Sequence, residues 1–147
     1  MWPVQFYAPE KYSRIECFVR GFIREVIGSG EMLILIEDAE PSEECQRFVH
    51  EAIRKAMGEK RPFHKAPAYL VNWEEAEKAI AIFSLTSCFQ WKCYLYGTSD
   101  MTTLYNWEGA IFDIWTLSTS RAKKAGQILD WFKLKRIRGK KKGYRNG

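Results

Sequence analysis

The sequence predicts an α+β fold: a single domain in which an antiparallel β-meander sheet carries three to four helices packed mainly on one face. Three observations predict it. Apolar residues recur at helical intervals in the first, middle and last parts of the chain, the period drops to two after Phe89, and tight-turn residues separate the period-two runs. The length of 147 residues suits one domain, and a hydrophobic content of 46% with 22 aromatic residues is enough to offset the entropy of ordering it.

Taken in order, Ser13 and Glu16 stand at capping-box spacing, and Tyr12, Ile15, Val19, Phe22, Ile23, Val26 and Ile27 then follow a helical stripe up to Gly28-Ser29-Gly30. Gly21 and the β-branched content leave a two-stranded reading of this stretch open, with the glycine turn closing a hairpin. Met32 to Ile36 is a short apolar run of strand length. Pro41 to Met57 is the clearest helix: Cys45, Phe48, Val49, Ala52, Ile53, Ala56 and Met57 form a stripe that should face a core, with Arg47, Glu51, Arg54 and Lys55 on the wet side and Gly58 as the stop. After a polar connection over residues 59–67, Ala68 to Val71 reads as a strand, and Asn72 with Glu75 opens a short helix through Lys78 or beyond. Phe89, Trp91, Cys93 and Leu95 alternate with Gln90, Lys92, Tyr94 and Tyr96. Gly97 to Asp100 turns, Met101 to Asn106 returns, Trp107 to Gly109 turns again, and Ala110 to Leu117 completes the meander. Thr119 or Ser120 caps a last helix with Ala122, Ala125, Ile128, Leu129 and Phe132 inward.

That helix runs into a cationic segment. Lys133, Lys135, Arg136, Arg138, Lys140, Lys141, Lys142 and Arg145 fall within fifteen residues that hold no acid, while the other 15 cations face all 18 carboxylates and leave the body near −3. The sequence therefore divides into a compact α+β domain, residues 1–134, and a basic C-terminal arm, residues 135–147, in which Gly139 and Gly143 discourage independent folding.

Such an arm is suited to polyanions, and the leading expectation is a non-enzymatic protein that binds single-stranded or structured RNA or DNA. The alternating face with Lys92, Tyr94 and Tyr96 resembles a stacking platform beside a cation, so these three join the arm residues as candidate contacts. Tyrosines equally favour half-exposed strands for structural reasons. The alternative is a protein-interaction or assembly module, an inhibitor, immunity-type or homodimeric protein that uses exposed aromatics of the meander. A ligand pocket lined by Trp91, Trp107 and Trp115 is a third possibility.

Catalysis is weakly signalled. His50 and His64 have no fixed separation, and Asp113 interrupts an otherwise apolar strand, where Glu108 and Lys92 would complete a metal-dependent site or a cation would merely pair with it. Phosphate-loop, nucleophile-elbow and His-Glu-x-x-His motifs are missing from the sequence. Cys17, Cys45, Cys88 and Cys93 are spaced too widely for a zinc site and read as free, buried thiols. No metal or cofactor is expected. Residues 1–10 lack the basic and apolar regions of a signal peptide, and Ala79 to Trp91 is too short and polar to span a membrane, so a cytoplasmic location is expected.

Overall fold

The structure, a computed structural model that describes residues 2–37 and 43–137, has an α+β architecture. Its described strands are β1 (Trp2–Tyr7), β2 (Met32–Glu37), β3 (Ala68–Val71), β4 (Lys92–Gly97), β5 (Thr103–Trp107) and β6 (Ile111–Thr116). They form one open sheet in the order β1-β6-β5-β4-β2-β3, every neighbouring pair antiparallel. The described α-helices are α1 (Tyr12–Phe22), α2 (Glu44–Ala56), α3 (Ala76–Cys88) and α4 (Thr119–Trp131). None is long and apolar enough to cross a membrane.

Strand alternation sends successive side chains to opposite faces, and register carries each face across the sheet. Val4 and Phe6 on β1 lie opposite Ile114 and Phe112 on β6; Ile114 lies opposite Leu104 on β5, Leu104 opposite Leu95, and Leu95 opposite Ile34. This layer faces α1, α3 and α4 and supplies the core, in which Phe6, Phe18, Phe83 and Phe112 are fully buried.

The meander, β2 and β3 form where the sequence places them, to within a few residues. Strand β1 is an addition, an edge strand whose proline is compatible with its position. The first helix widens into a π-turn over Ile23–Ile27, and Gly28, at φ 75°, ends it. Its N-cap is Lys11, two residues before Ser13, with no side-chain cap bond, so the Ser13–Glu16 capping box does not form. At α4 the cap is Ser118, whose Oγ accepts from the Arg121 amide at 3.3 Å, in place of Thr119 or Ser120.

Two corrections are larger. Helix α3 continues to Cys88, so Phe89 is its cap and Gln90, at φ 59°, is the break before β4. The helix is apolar nearly all round because it lies in the core, which erases the stripe that periodicity needs. Helix α2 buries only Ile53 of its apolar stripe, with Val49 and Met57 half-buried, and buries the polar His50 and Arg54 beside it, while Phe48 stays 73% exposed. Arg54 docks by bonding the Ala66 carbonyl at 2.9 Å, the Tyr69 hydroxyl at 3.0 Å and the Arg61 carbonyl. Phe48, Ala52 and Ala56 line a groove of about 390 Å³ against Ala81, Ile82 and Leu85 of α3. Pro41, where the sequence starts this helix, lies outside the described residues.

Candidate binding face of the sheet

The second face of the sheet carries no helix among the described residues. Alternation and register put Gln5 and Tyr7 of β1 on it, followed by Ile111, Asp113 and Trp115 of β6, Thr103, Tyr105 and Trp107 of β5, Lys92, Tyr94 and Tyr96 of β4, and Leu33 and Leu35 of β2. Lys92, Tyr94 and Tyr96 thus share the face that the sequence assigns them, while Gln90 precedes the strand. Six strands about 4.8 Å apart make a surface roughly 24 Å wide.

Its centre is aromatic. Tyr94 stacks on Tyr105 with ring centroids 4.0 Å apart and on Tyr96 at 5.4 Å, and Trp107 meets Tyr105 edge-on at 4.7 Å. Tyr105 is buried within this group, and burial together with the hydrogen bond its hydroxyl donates to Tyr94 raises its pKa well above that of a free phenol. Tyr96 is shifted the same way, by burial first and then by Tyr94 and Glu37. Both hydroxyls remain protonated donors at neutral pH. Trp107 and Trp115 expose nearly half their surface.

Charge on the central strands is mixed. Lys92 Nζ lies 3.9 Å from Glu108 and in register with Glu37. Asp113 is buried; its Oδ2 accepts the Trp107 indole N–H at 2.7 Å, and Oδ1 has no hydrogen-bond partner. The partner found for Asp113 is thus the Trp107 indole where a cation was expected. No group of three His, Cys, Asp or Glu side chains among the described residues is arranged to hold a metal ion.

Cations without an ion-pair partner among the described residues lie at the β1 edge instead. Helix α4 ends in a Schellman turn, the Lys133 amide on the Asp130 carbonyl and the Leu134 amide on the Leu129 carbonyl, with Lys133 at φ 55°. The chain then runs antiparallel along β1. The Tyr7 amide donates to the Lys135 carbonyl at 3.0 Å, the Ile137 amide donates to the Gln5 carbonyl at 2.8 Å, and Phe6 pairs with Arg136. Since Phe6 points to the helices, so does Arg136, which reaches Asp130 at 3.3 Å, and Lys135 stands on the open face beside Tyr7. The first residues of the basic segment thus extend the sheet. Arg138, Lys140, Lys141, Lys142 and Arg145 lie outside the described residues.

The remaining candidates do not assemble. His50 is buried under α2 against Phe63 and Trp91, with ring centroids 4.5 and 5.8 Å away, while His64 is exposed. Trp91 belongs to the core side and Trp107 and Trp115 to the open face, so the three do not line one pocket. Cys93 is buried and its thiol pushed up to about 12 by desolvation; Cys17, Cys45 and Cys88 are exposed, contrary to the expectation of burial, and all four are free. Sequence reading missed Tyr7 because β1 went unassigned, and missed Tyr105 although its alternation with Leu104 and Asn106 is legible. No family model matches the chain, and comparison with curated proteins and with solved structures yields no match.

Proposed function

We propose that the protein binds single-stranded nucleic acid across the open sheet face. One observation carries the reading: an uncovered aromatic face ends, at the β1 edge, in Lys135, which has no carboxylate partner among the described residues. Bases are uncharged and suit a platform whose own charge is mixed, whereas phosphates need cations, and here both sit on one sheet face, Lys135 beside β1 and the central rings on β5 and β4 with β6 between. Tyr96 and Trp107 offer the outer rings of the aromatic group, Tyr105 supports them from beneath, and further cations follow in the sequence from Arg138 onward.

Fluorescence anisotropy with short single-stranded RNA and DNA at two salt concentrations tests this. Affinity falls as salt rises, Lys135→Glu weakens binding and lowers the salt slope, and Tyr96→Ala weakens it by roughly tenfold, since one base stacked on one ring is worth about 1–3 kcal/mol. Salt-independent binding, or none, rejects the reading.

A second reading, self-association or a protein partner, is favoured by one further feature. Trp107, Trp115 and Met101 are all at least 44% exposed around a ring group that is already packed against itself, which suits a flat apolar contact. Light scattering decides it: a dimer weakened by Trp115→Ala supports assembly, and a monomer at high concentration counts against the homodimer.

A further inference from the structure

Below the β1 edge lies a cleft of about 410 Å³, within the ~300–1,000 Å³ range of small-ligand sites. Lys11 and Arg14 line it from the start of α1, Lys133 and Lys135 from the turn after α4, with Tyr7 and Glu10 completing the wall. Four cations thus face one carboxylate, and none of the four is ion-paired with a described carboxylate. The pocket over Glu51, Lys55, Glu59, Lys60 and Arg61 differs, because there Arg61 is neutralised by Glu59 at 2.8 Å. Arg14 spends one donor on the Phe132 carbonyl at 2.7 Å, which ties it to the segment that carries Lys133. Lys133 occupies a left-handed position that glycine would fill with less strain, so a cation is held there against backbone preference. Tyr7 is 49% exposed and joins the cleft to the aromatic face.

We propose that this cleft receives the terminal phosphomonoester of a strand lying on the face, with the end base against Tyr7. The inference rests on the single-strand reading and extends it. A phosphomonoester carries close to two negative charges, a backbone diester one, and concave, unneutralised positive charge discriminates between them. Only a strand end can enter a pocket of this size; the backbone of a continuous strand runs past its mouth.

The test uses anisotropy with one oligonucleotide sequence in three forms: 5′-phosphorylated, 3′-phosphorylated and unphosphorylated, with inorganic phosphate as competitor. One phosphorylated end binds about tenfold tighter than the unphosphorylated strand, as expected for one or two charge-assisted hydrogen bonds. Lys11→Gln and Lys133→Gly bring that ratio toward one, and Lys133→Gly does so without lowering the melting temperature, because it removes a charge while relieving the backbone. Binding of all three forms with equal affinity overturns the phosphomonoester site and leaves the single-strand reading standing. Absence of binding by any form overturns that reading, and the inference with it. Inorganic phosphate that competes as strongly as the phosphorylated strand overturns the strand-end assignment, since the cleft would then take the free anion.

Discussion

On the helix-covered side of the sheet, Phe6, Phe18, Phe83 and Phe112 meet at centroid separations of 5.4 to 6.2 Å, mostly edge to face, and water is excluded from all of them. On the other side Tyr94, Tyr96 and Tyr105 lie nearly parallel, 4.0 to 5.4 Å apart, with two half-exposed tryptophans around them. The same strands carry both sets. Phenylalanine, without a polar atom, fills a three-dimensional core from several elements. Tyrosine and tryptophan keep one polar end toward solvent or a neighbouring carboxylate and leave ring surface for something else. Stability should therefore depend on the first group and binding on the second.

The strongest way to break this comparison is to truncate one residue on each side of β6. Phe112→Ala removes a ring that touches three other buried rings, and should cost about 3–5 kcal/mol in urea or thermal unfolding. Trp115→Ala, three residues along and on the open face, should cost about 1 kcal/mol or less. Similar losses at both positions would mean that the open face is part of the core, and neither functional reading would survive.

The next largest effect lies where the two sides meet. Gly109 turns the β5–β6 hairpin at φ 86°, and a Cβ there would stand 2.3 Å from the Ser87 carbonyl at the end of α3. Gly109→Ala should cost about 2–3 kcal/mol by strain and displacement of the helix end. A near-neutral result would show that the turn and α3 are not in contact. Smaller again is Trp107→Phe, which keeps an aromatic ring but removes the bond to Asp113 Oδ2 and leaves both oxygens of a buried carboxyl group without a hydrogen-bond partner among the described residues. A loss of about 1–2 kcal/mol is expected, and Trp107→Phe with Asp113→Leu should recover part of it. Lack of recovery would place the cost in packing.

Legibility in the sequence followed the strength of the periodic pattern, not the side of the sheet. Period-two alternation is a direct record of the pleat, so β4 and its exposed Lys92, Tyr94 and Tyr96 could be read from the chain, as could the stripe of α4. Periodicity failed in α3, where core surrounds the helix, and in β1, where a six-residue edge strand offers little pattern. It misled in α2. There a polar pair, His50 and Arg54, is what docks, because Arg54 finds three oxygen acceptors that no count of apolar residues reveals. The candidate site was half visible for a related reason: composition marks the cations, but only the pairing of residues 135–137 with β1 brings Lys135 to the aromatic face and Lys133 beside Lys11.

His50 gives the smallest and most selective test, because it asks whether α2 is held by that polar docking. The imidazole is 6% exposed, lies between Phe63 and Trp91, and its Nε2 has no hydrogen-bond partner. Burial lowers its pKa, Arg54 lowers it further, and Glu51 opposes them weakly. The folded state therefore binds a proton less readily than the unfolded chain, whose histidine titrates near 6.5. Above that pH both states hold a neutral ring and nothing is lost. As pH falls below it, the unfolded state gains the proton first and stability declines until the folded pKa is passed. The difference in unfolding free energy between the protein and His50→Phe, measured from pH 8 to pH 5.5, should shift in favour of the variant as pH falls, whatever the carboxylates contribute to both. A constant difference would mean that His50 is solvated in solution, and that α2 docks by some contact other than the one between its polar pair and the Phe63–Tyr69 segment.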